Sequence, residues 1–539
     1  MDLNIVLVNP NLYGDPCVPG SYRKAKVPSV SLGLAALAAY VESHSNHRVL
    51  IIDARIEGLD PMSALDQVKQ LNPALVGVSL CSHESTVWSI SFLKMVKEWK
   101  KSVHTTLGNH FASLFPQMAL SQIEHADSIV IGEGEVTFLD LITHLADQKE
   151  WTGVTGLAYR GDQSQVIVNP RRNFIADINT LPAPKRSHLK NEGDECELVV
   201  EGSRGCAYRC SFCTIGPFYG LQQGPLLRQK SAQSIFKELK ILCERYPKLR
   251  RVRFVDPEFF VGVSGSTRIR TLVELIQSNL SNLQICIESR ASSIIRNVHL
   301  LGLLKSAGLV RVNMGIESGS QRILNKMNKC TKVEDNVVAT SILREHGIDY
   351  SYGFMMITPW ALDEDIEQNV CLLEKIGKIE LHKFFHELTL IPGTTAFEEL
   401  QQRVSLSWKG DLHYYTYTTQ SPRIERYRKL ASTMERRYNE FFKSASFIYE
   451  SIRSHLLADQ RELALVIEKK SDLVFMEIFR FFWQKASFDM QESDYGRLTT
   501  RCFELFVPQL EELIKMIDSA LAFPVPSHLL PKYATKYQV

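Results

Sequence analysis

The stretch Arg204-Gly-Cys206-Ala-Tyr-Arg-Cys210-Ser-Phe212-Cys213 decides how the rest of this chain is read. Its three cysteines fall on one tight loop. Three thiolates so placed can hold three irons of a cubane iron–sulfur cluster and leave the fourth iron open, whereas ferredoxin loops space their cysteines two apart and bring a fourth from elsewhere. The other readings are a zinc knuckle with a fourth ligand and three incidental buried thiols. Zinc knuckles pair C-x-x-C elements or add histidines at ligand spacing, and the sequence lacks such partners.

Composition bounds the classes to consider. The chain has 539 residues, enough for about three or four domains. Apolar residues make up 45% and charged residues 23%, an ordinary globular mixture. A net charge of +2 supplies no field to draw nucleic acid or an anionic membrane. Eleven cysteines, scattered apart from the triplet, and no signal-peptide pattern after Met1 predict a reducing, cytoplasmic setting. The sequence holds no apolar run long enough to predict a transmembrane helix.

Upstream of the triplet, short apolar runs alternate with amphipathic stretches. Strands are predicted at Asn4–Asn9, Arg48–Asp53, Leu75–Ser79, Val103–Leu107 and Ser128–Ile131, with helices between them. Residues 1–150 therefore predict a Rossmann- or flavodoxin-like unit, whose ligands bind beyond the carboxyl ends of its strands. The loops at those ends are Pro28-Ser29 before the first helix, Ser79 to His83, Leu107-Gly108-Asn-His110 and Gly132-Glu133-Gly134-Glu135. No G-x-G-x-x-G follows the first strand, which argues against a dinucleotide. Residues 151–196, with Pro170, Pro182 and Pro184, read as a linker.

Residues 197–400 return to strand–helix alternation. Strands are predicted at Leu198–Glu201, Val252–Asp256, Gln284–Glu288, Val310–Gly315, Tyr350–Ile357 and Lys383–Leu390. This suits a six-unit partial α/β barrel with its chemistry at the carboxyl ends of the strands. Those ends carry Asp256 and Glu258, then Glu288 and Arg290, then Glu317 and Ser318, and finally Pro392 and Gly393. Residues 401–539 read as a mainly helical region, whose aromatic tracts Tyr414–Tyr417 and Phe479–Trp483 suit core packing.

The triplet, with an aromatic before its last cysteine, resembles the signature of the radical S-adenosylmethionine (SAM) enzymes. The loops of residues 1–150 resemble the cobalamin-binding domain that precedes many such cores. The family pattern is Pro-Ser before the first helix, Gly-Gly-x-His after strand four and Gly-Glu-Gly-Glu after strand five. The chain thus resembles the cobalamin-binding radical SAM family of class B methyltransferase type, over roughly residues 1–400. There are departures. Leu107 replaces the first glycine of Gly-Gly-x-His, and no Asp-x-His-x-x-Gly motif offers cobalt a lower histidine. The family's Gly-x-Pro-Gly-Glu-Thr reads Ile357-Thr-Pro359-Trp360-Ala here, which puts any substrate analogy in doubt.

The resemblance implies a 4Fe-4S cluster on Cys206, Cys210 and Cys213, with SAM on its open iron and cobalamin on the first domain. It places Phe212 on the adenine side of SAM, Glu317 and Ser318 on its polar groups, and Arg290 on its carboxylate. Asp256, Glu258, Glu288, Pro392 and Gly393 would face SAM or substrate. Pro28, Ser29, Ser79, His83, Gly108, His110, Gly132, Glu133, Gly134 and Glu135 would face cobalamin, with His83 under the corrin. In the commonest use of this architecture, the reduced cluster cleaves SAM to a 5′-deoxyadenosyl radical. That radical takes a substrate hydrogen, and the substrate radical takes a methyl group from methylcobalamin. A C-methyltransferase is the implied activity. The alternative is a rearrangement, cyclisation or oxidation with the same cofactors in natural-product or tetrapyrrole biosynthesis. A methylthiotransferase would bring extra N-terminal cysteines and an RNA-binding barrel, and a cobalamin sensor would not keep an intact triplet. Expected partners are a small-molecule or peptide substrate and an external flavodoxin- or ferredoxin-like one-electron donor.

Overall fold

β1 (Asn4–Asn9) is buried over Ile5–Val8, and β3 (Leu75–Ser79) is buried throughout, as central parallel strands covered on both faces must be. They pair with each other, and β1 also pairs with β2 (Arg48–Asp53). β4 (His104–Gly108) and β5 (Ser128–Val130) extend the sheet in parallel, giving the order β2-β1-β3-β4-β5 of a flavodoxin-like unit. Apolar clusters fill both faces. One gathers around Trp88, Phe92 and Leu107, the other around Leu34, Phe138 and Leu141. The computed structural model describes residues 2–12, 31–82, 85–162, 165–186, 196–262, 265–280, 282–401, 407–408, 415–438, 445–446, 448 and 461–520. Pro28, Ser29 and His83 lie outside the described residues.

The expected linker begins with regular structure. β6 (Leu157–Arg160) and β7 (Val166–Val168) form an antiparallel hairpin on the open edge of β5, so the first sheet has seven strands. Two strands of three or four residues are too short for alternation to register, and capping an exposed edge is what they achieve.

Parallel pairing resumes with β8 (Cys196–Val200). The short β9 (Ser203–Arg204) and β10 (Arg228–Gln229) pair antiparallel with each other at its end. β11 (Leu249–Phe254), β12 (Gln284–Ser289), β13 (Leu309–Glu317) and β14 (Asp349–Phe354) complete a parallel sheet in the order β14-β13-β12-β11-β8. This is the partial barrel, with five strands. The sixth predicted strand, Lys383–Leu390, is reduced to isolated bridge residues at Glu387, paired with Ile357, and at Leu390, preceded by a 3-10 turn at Leu381–Phe384. Phe384 and Phe385 pack instead against Tyr427, Phe479 and Phe482 of the C-terminal helices. That aromatic core draws the segment off the sheet.

Those helices span Pro422–Arg437, Arg461–Lys485 and Glu492–Ala520. Trp483 is buried and lies 3.8 Å from the Arg423 guanidinium, so the Phe479–Trp483 tract packs as core. The Asp472 carboxylate accepts from the amides of Lys378 at 3.1 Å and Ile379 at 2.7 Å, pinning the middle helix to the barrel. Among the described residues, no helix is long and apolar enough to cross a membrane.

Candidate active site

The cysteine loop is fastened from three sides. The Ser211 amide donates to Met327 O at 2.8 Å, Ser211 O accepts from the Ala396 amide at 2.8 Å, and the Asn328 side chain donates to Arg209 O at 2.7 Å. Gly205 precedes the first cysteine with φ +85°, and a Cβ there would sit 1.6 Å from Leu226 O, so only glycine fits. Burial pushes the Cys206 and Cys213 thiols up. The charges of neighbouring cysteines add to this, which puts the three sulfurs within electrostatic reach of one another. Among the described residues, no three Cys, His, Asp or Glu side chains converge tightly enough to chelate a single ion.

Around the loop, several strand-end residues hold the scaffold. Asp256 is fully buried and accepts from the Gly202 amide at 2.8 Å and Ser203 Oγ at 2.6 Å, so it braces the base of the cysteine loop. Glu258 accepts from the amides of Phe260 (3.1 Å) and Arg290 (2.9 Å) and from Ser289 Oγ (2.9 Å). It staples the end of β11 to the end of β12. Ser318 is fully buried and donates to Asn369 Oδ1 at 2.7 Å. Glu288 pairs with Arg253 at 3.4 Å, and Arg253 reaches Glu197 at 3.1 Å. These contacts are internal to the protein.

Glu317 and Phe212 are placed differently. Glu317 sits at φ +66°, in the left-handed region, and its carboxylate takes a hydrogen bond from the buried Lys329 ammonium at 2.8 Å. A Cβ on Gly315 would lie 2.6 Å from Glu317 Oε1 and 2.5 Å from Lys329 Nζ, so the glycine makes room for this pair. A non-glycine residue held at such a φ marks a position that the surroundings over-determine. Phe212 is partly buried against an apolar cluster of Ile323, Met327, Trp360 and Leu390. Trp360, the residue that departs from the family pattern, belongs to the same apolar cluster. Gly393, after Pro392, faces the first domain, since a Cβ there would meet the Phe115 ring at 3.5 Å.

Between the two sheets lies a cavity of about 250 Å³. Ser79, Gly108, His110 and the Gly132–Glu135 turn line it from the carboxyl ends of the first sheet, and Glu201, Arg204, Phe218 and Tyr219 line it from the barrel unit. His110 stacks on Phe218 with ring centroids 4.0 Å apart, and its Nδ1 meets Asn109 Oδ1 at 2.8 Å. Burial drops its pKa to about 4, so the ring is neutral at pH 7. Asn109 also donates to Ser79 Oγ at 2.9 Å.

The floor of that cavity is a chain of buried ion pairs. Arg204 reaches Glu135 at 2.8 Å, Glu201 at 3.0 Å and Glu133 at 3.5 Å, while Arg228 grips both Glu133 oxygens at 2.6 and 2.8 Å. Arg204 and Arg228 are cross-strand partners on β9 and β10, which aims both guanidinium groups at one turn. Burial alone would raise the Glu135 carboxyl, but the Arg204 charge and hydrogen bond outweigh it and hold the group below the usual range. Gln222 completes the grip. Its Oε1 accepts from the Glu133 amide at 2.7 Å and fills the space where a Cβ on Gly132 would be, at φ +74°. Sequence reading placed Glu133 and Glu135 at this turn but missed Arg204, Arg228, Gln222, Phe218 and Asn109.

A flavodoxin-like sheet and a partial barrel, with a cavity between their strand ends and a three-cysteine loop at the barrel mouth, define a cobalamin-binding radical SAM enzyme. The chain belongs to that family: residues 22–142 match the B12-binding domain and residues 200–372 match the radical SAM superfamily. It is 25% identical over 432 residues to an uncharacterized methyltransferase of Pyrococcus horikoshii, covering 79% of this chain and 90% of the relative. It is 24% identical over 464 residues to the anaerobic magnesium-protoporphyrin IX monomethyl ester cyclase of Rubrivivax gelatinosus, covering 83% of this chain and 78% of that enzyme. The fold matches OxsB, a cobalamin-dependent SAM radical enzyme with aqua-cobalamin and SAM bound, at a TM-score of 0.75 and 17% identity, over 98% of this chain and 82% of OxsB. The cofactors are accordingly a 4Fe-4S cluster, SAM and cobalamin.

The Asp256 brace carries a pH prediction. Burial raises its pKa from 3.8 to about 6. Between those values the folded state binds more protons than the unfolded state, so stability falls as pH rises through that window. The expected loss is on the order of 3 kcal/mol. Asp256→Asn keeps an acceptor for Gly202 and Ser203 and is expected to flatten this slope, as measured by urea unfolding midpoints from about pH 4 to 7. Parallel slopes for the two proteins contradict it.

Proposed function

We propose that this enzyme is a C-methyltransferase acting at an unactivated carbon of a small-molecule or peptide substrate, fed by an external one-electron donor. The observation that carries the reading is the cavity walled by the strand ends of both units, with the cysteine loop tied to its floor through Arg204. When bound, the cluster and SAM supply one-electron chemistry, and cobalamin supplies a transferable methyl group. The chain's own part is geometry and dryness. His110 and Phe218 offer an uncharged aromatic wall, suited to a flat ring from the corrinoid's tail. The Glu317–Lys329 pair sets a buried polar patch beside the loop, where a zwitterionic ligand needs balanced partners. The Pyrococcus relative's description as a methyltransferase supports methyl transfer.

The likeness to the cyclase supports a second reading, a non-methylating cyclisation, rearrangement or oxidation. One experiment separates them without knowing the substrate. Anaerobic protein carrying reduced cobalamin is mixed with SAM bearing a deuterated methyl group. A methyltransferase is expected to move the label to the corrinoid and release S-adenosylhomocysteine. Release of 5′-deoxyadenosine under reducing conditions, with no labelled corrinoid, favours the second reading.

A further inference from the structure

Arg290, expected to meet the carboxylate of SAM, is held by the cysteine loop itself. Its Nη1 donates to Cys210 Sγ at 3.4 Å and its Nη2 donates to Thr331 Oγ1 at 3.1 Å. The guanidinium carbon lies 3.9 Å from the centre of the Tyr208 ring, and Tyr208 stands on the loop between Cys206 and Cys210. Arg296 donates to the Tyr208 hydroxyl at 3.2 Å, and Glu258 takes the Arg290 amide at 2.9 Å. The side chain is thus fixed by its backbone, its face and two of its nitrogens, and it is buried. The other two thiols are approached differently: Cys206 by the Tyr208 amide and Cys213 by the Ile215 amide. Among the described residues, Cys210 is the cysteine of this loop whose sulfur takes a hydrogen bond from a cationic side chain, although the Arg290 charge also reaches Cys206 and the Lys329 charge reaches Cys213.

We propose that Arg290 sets the reduction potential of the cluster through this N–H···S hydrogen bond to Cys210. The inference rests on the cluster reading above. One-electron reduction adds a negative charge that spreads onto the ligating sulfurs. No bond to the protein forms or breaks; the electron comes from a low-potential one-electron donor. A hydrogen bond to a cluster sulfur, given by a cation in a poorly hydrated site, stabilises the reduced form more than the oxidised one and raises the potential. Tyr208 and Thr331 are the residues that position the guanidinium for this task.

The test compares wild type with Arg290→Lys, Arg290→Gln and Arg290→Met after anaerobic reconstitution. Iron and sulfide content, a potentiometric titration followed by the EPR signal of the reduced cluster, and SAM affinity are measured on each. Cluster content is expected to be unchanged. The potential is expected to fall in order, with Lys and Gln intermediate: Lys keeps a charge and N–H donors but loses the planar fork that reaches Cys210 and Thr331 together, and Gln keeps a donor without the charge. For Met, the reduced-to-oxidised ratio at fixed poise is expected to drop about tenfold, equivalent to about 59 mV for a one-electron couple. A wild-type potential in Arg290→Met overturns the proposal, and so does a loss of SAM affinity at unchanged potential, which returns Arg290 to the SAM carboxylate. If Arg290→Met does not accumulate folded, Arg290→Gln and Thr331→Val carry the same test, the latter loosening the guanidinium without removing it. A wild-type protein that takes up no iron–sulfur cluster refutes the cofactor reading instead.

Discussion

Replacing Cys206, Cys210 and Cys213 together by alanine is expected to abolish the visible iron–sulfur absorption and to reduce SAM cleavage to background. The loss should be complete because no other group is placed to compensate. Among the described residues, the remaining thiols are dispersed over other elements. The loop itself should survive the change. Its anchors are the backbone contacts of Ser211 and Arg209 and the Asp256 brace on Gly202 and Ser203, none of which uses a sulfur. A triple variant that melts like wild type yet produces no 5′-deoxyadenosine separates lost chemistry from lost fold. Retained SAM cleavage contradicts the assignment.

The second large effect is expected at Arg228. Arg228→Met leaves the Glu133 carboxylate buried without its bidentate partner and removes a cation from the face of Phe174, 4.2 Å away. Breaking a buried pair by removing one member costs about 3–5 kcal/mol; Arg204, 3.5 Å from Glu133, remains as a weaker partner, so the cost is expected toward the lower end of that range. Adding Glu133→Gln to Arg228→Met is expected to recover a large part of that loss, since the stranded charge disappears. A double-mutant cycle on urea unfolding measures the coupling. Arg228→Met within about 1 kcal/mol of wild type contradicts the role given to this pair, because such a value is ordinary for an exposed one.

These two effects also mark where sequence reading worked and where it stopped. The strands of the first sheet were accessible, though not their order, because Ile5–Val8 and Leu75–Ser79 are apolar runs of strand length set between amphipathic helices. The cysteine triplet and the Gly132–Glu135 turn stood out because each is a pattern of residues close together in the chain. The grip on that turn was not. Gln222 and Arg228 lie 89 and 95 residues from Glu133, and a charge that pairs across two domains leaves no periodic trace. One signal was available: carboxylates in a turn destined for burial require cations, and Arg204 already stood in the quoted motif.

Polar residues at strand ends were the other weak point. Asp256, Glu258 and Ser318 sit where a ligand was expected, yet their oxygens are engaged by Gly202, Arg290 and Asn369. A strand end leaves amides unpaired, and a nearby carboxylate or hydroxyl satisfies them as readily as it would meet a cofactor. The sixth barrel strand was misplaced for a related reason. Alternation in Lys383–Leu390 records burial against the C-terminal helices as well as against a sheet, and the two cannot be told apart locally.

The central claim is that the two halves of this chain serve one reaction across a shared cavity. Its most direct test is anaerobic reconstitution with iron, sulfide and cobalamin, followed by reduction in the presence of SAM. The account predicts a protein holding iron–sulfur cluster and corrinoid in equimolar amounts and converting SAM to products. A protein that fills its cysteine loop and cleaves SAM while refusing corrinoid contradicts it, as does one whose loop holds zinc.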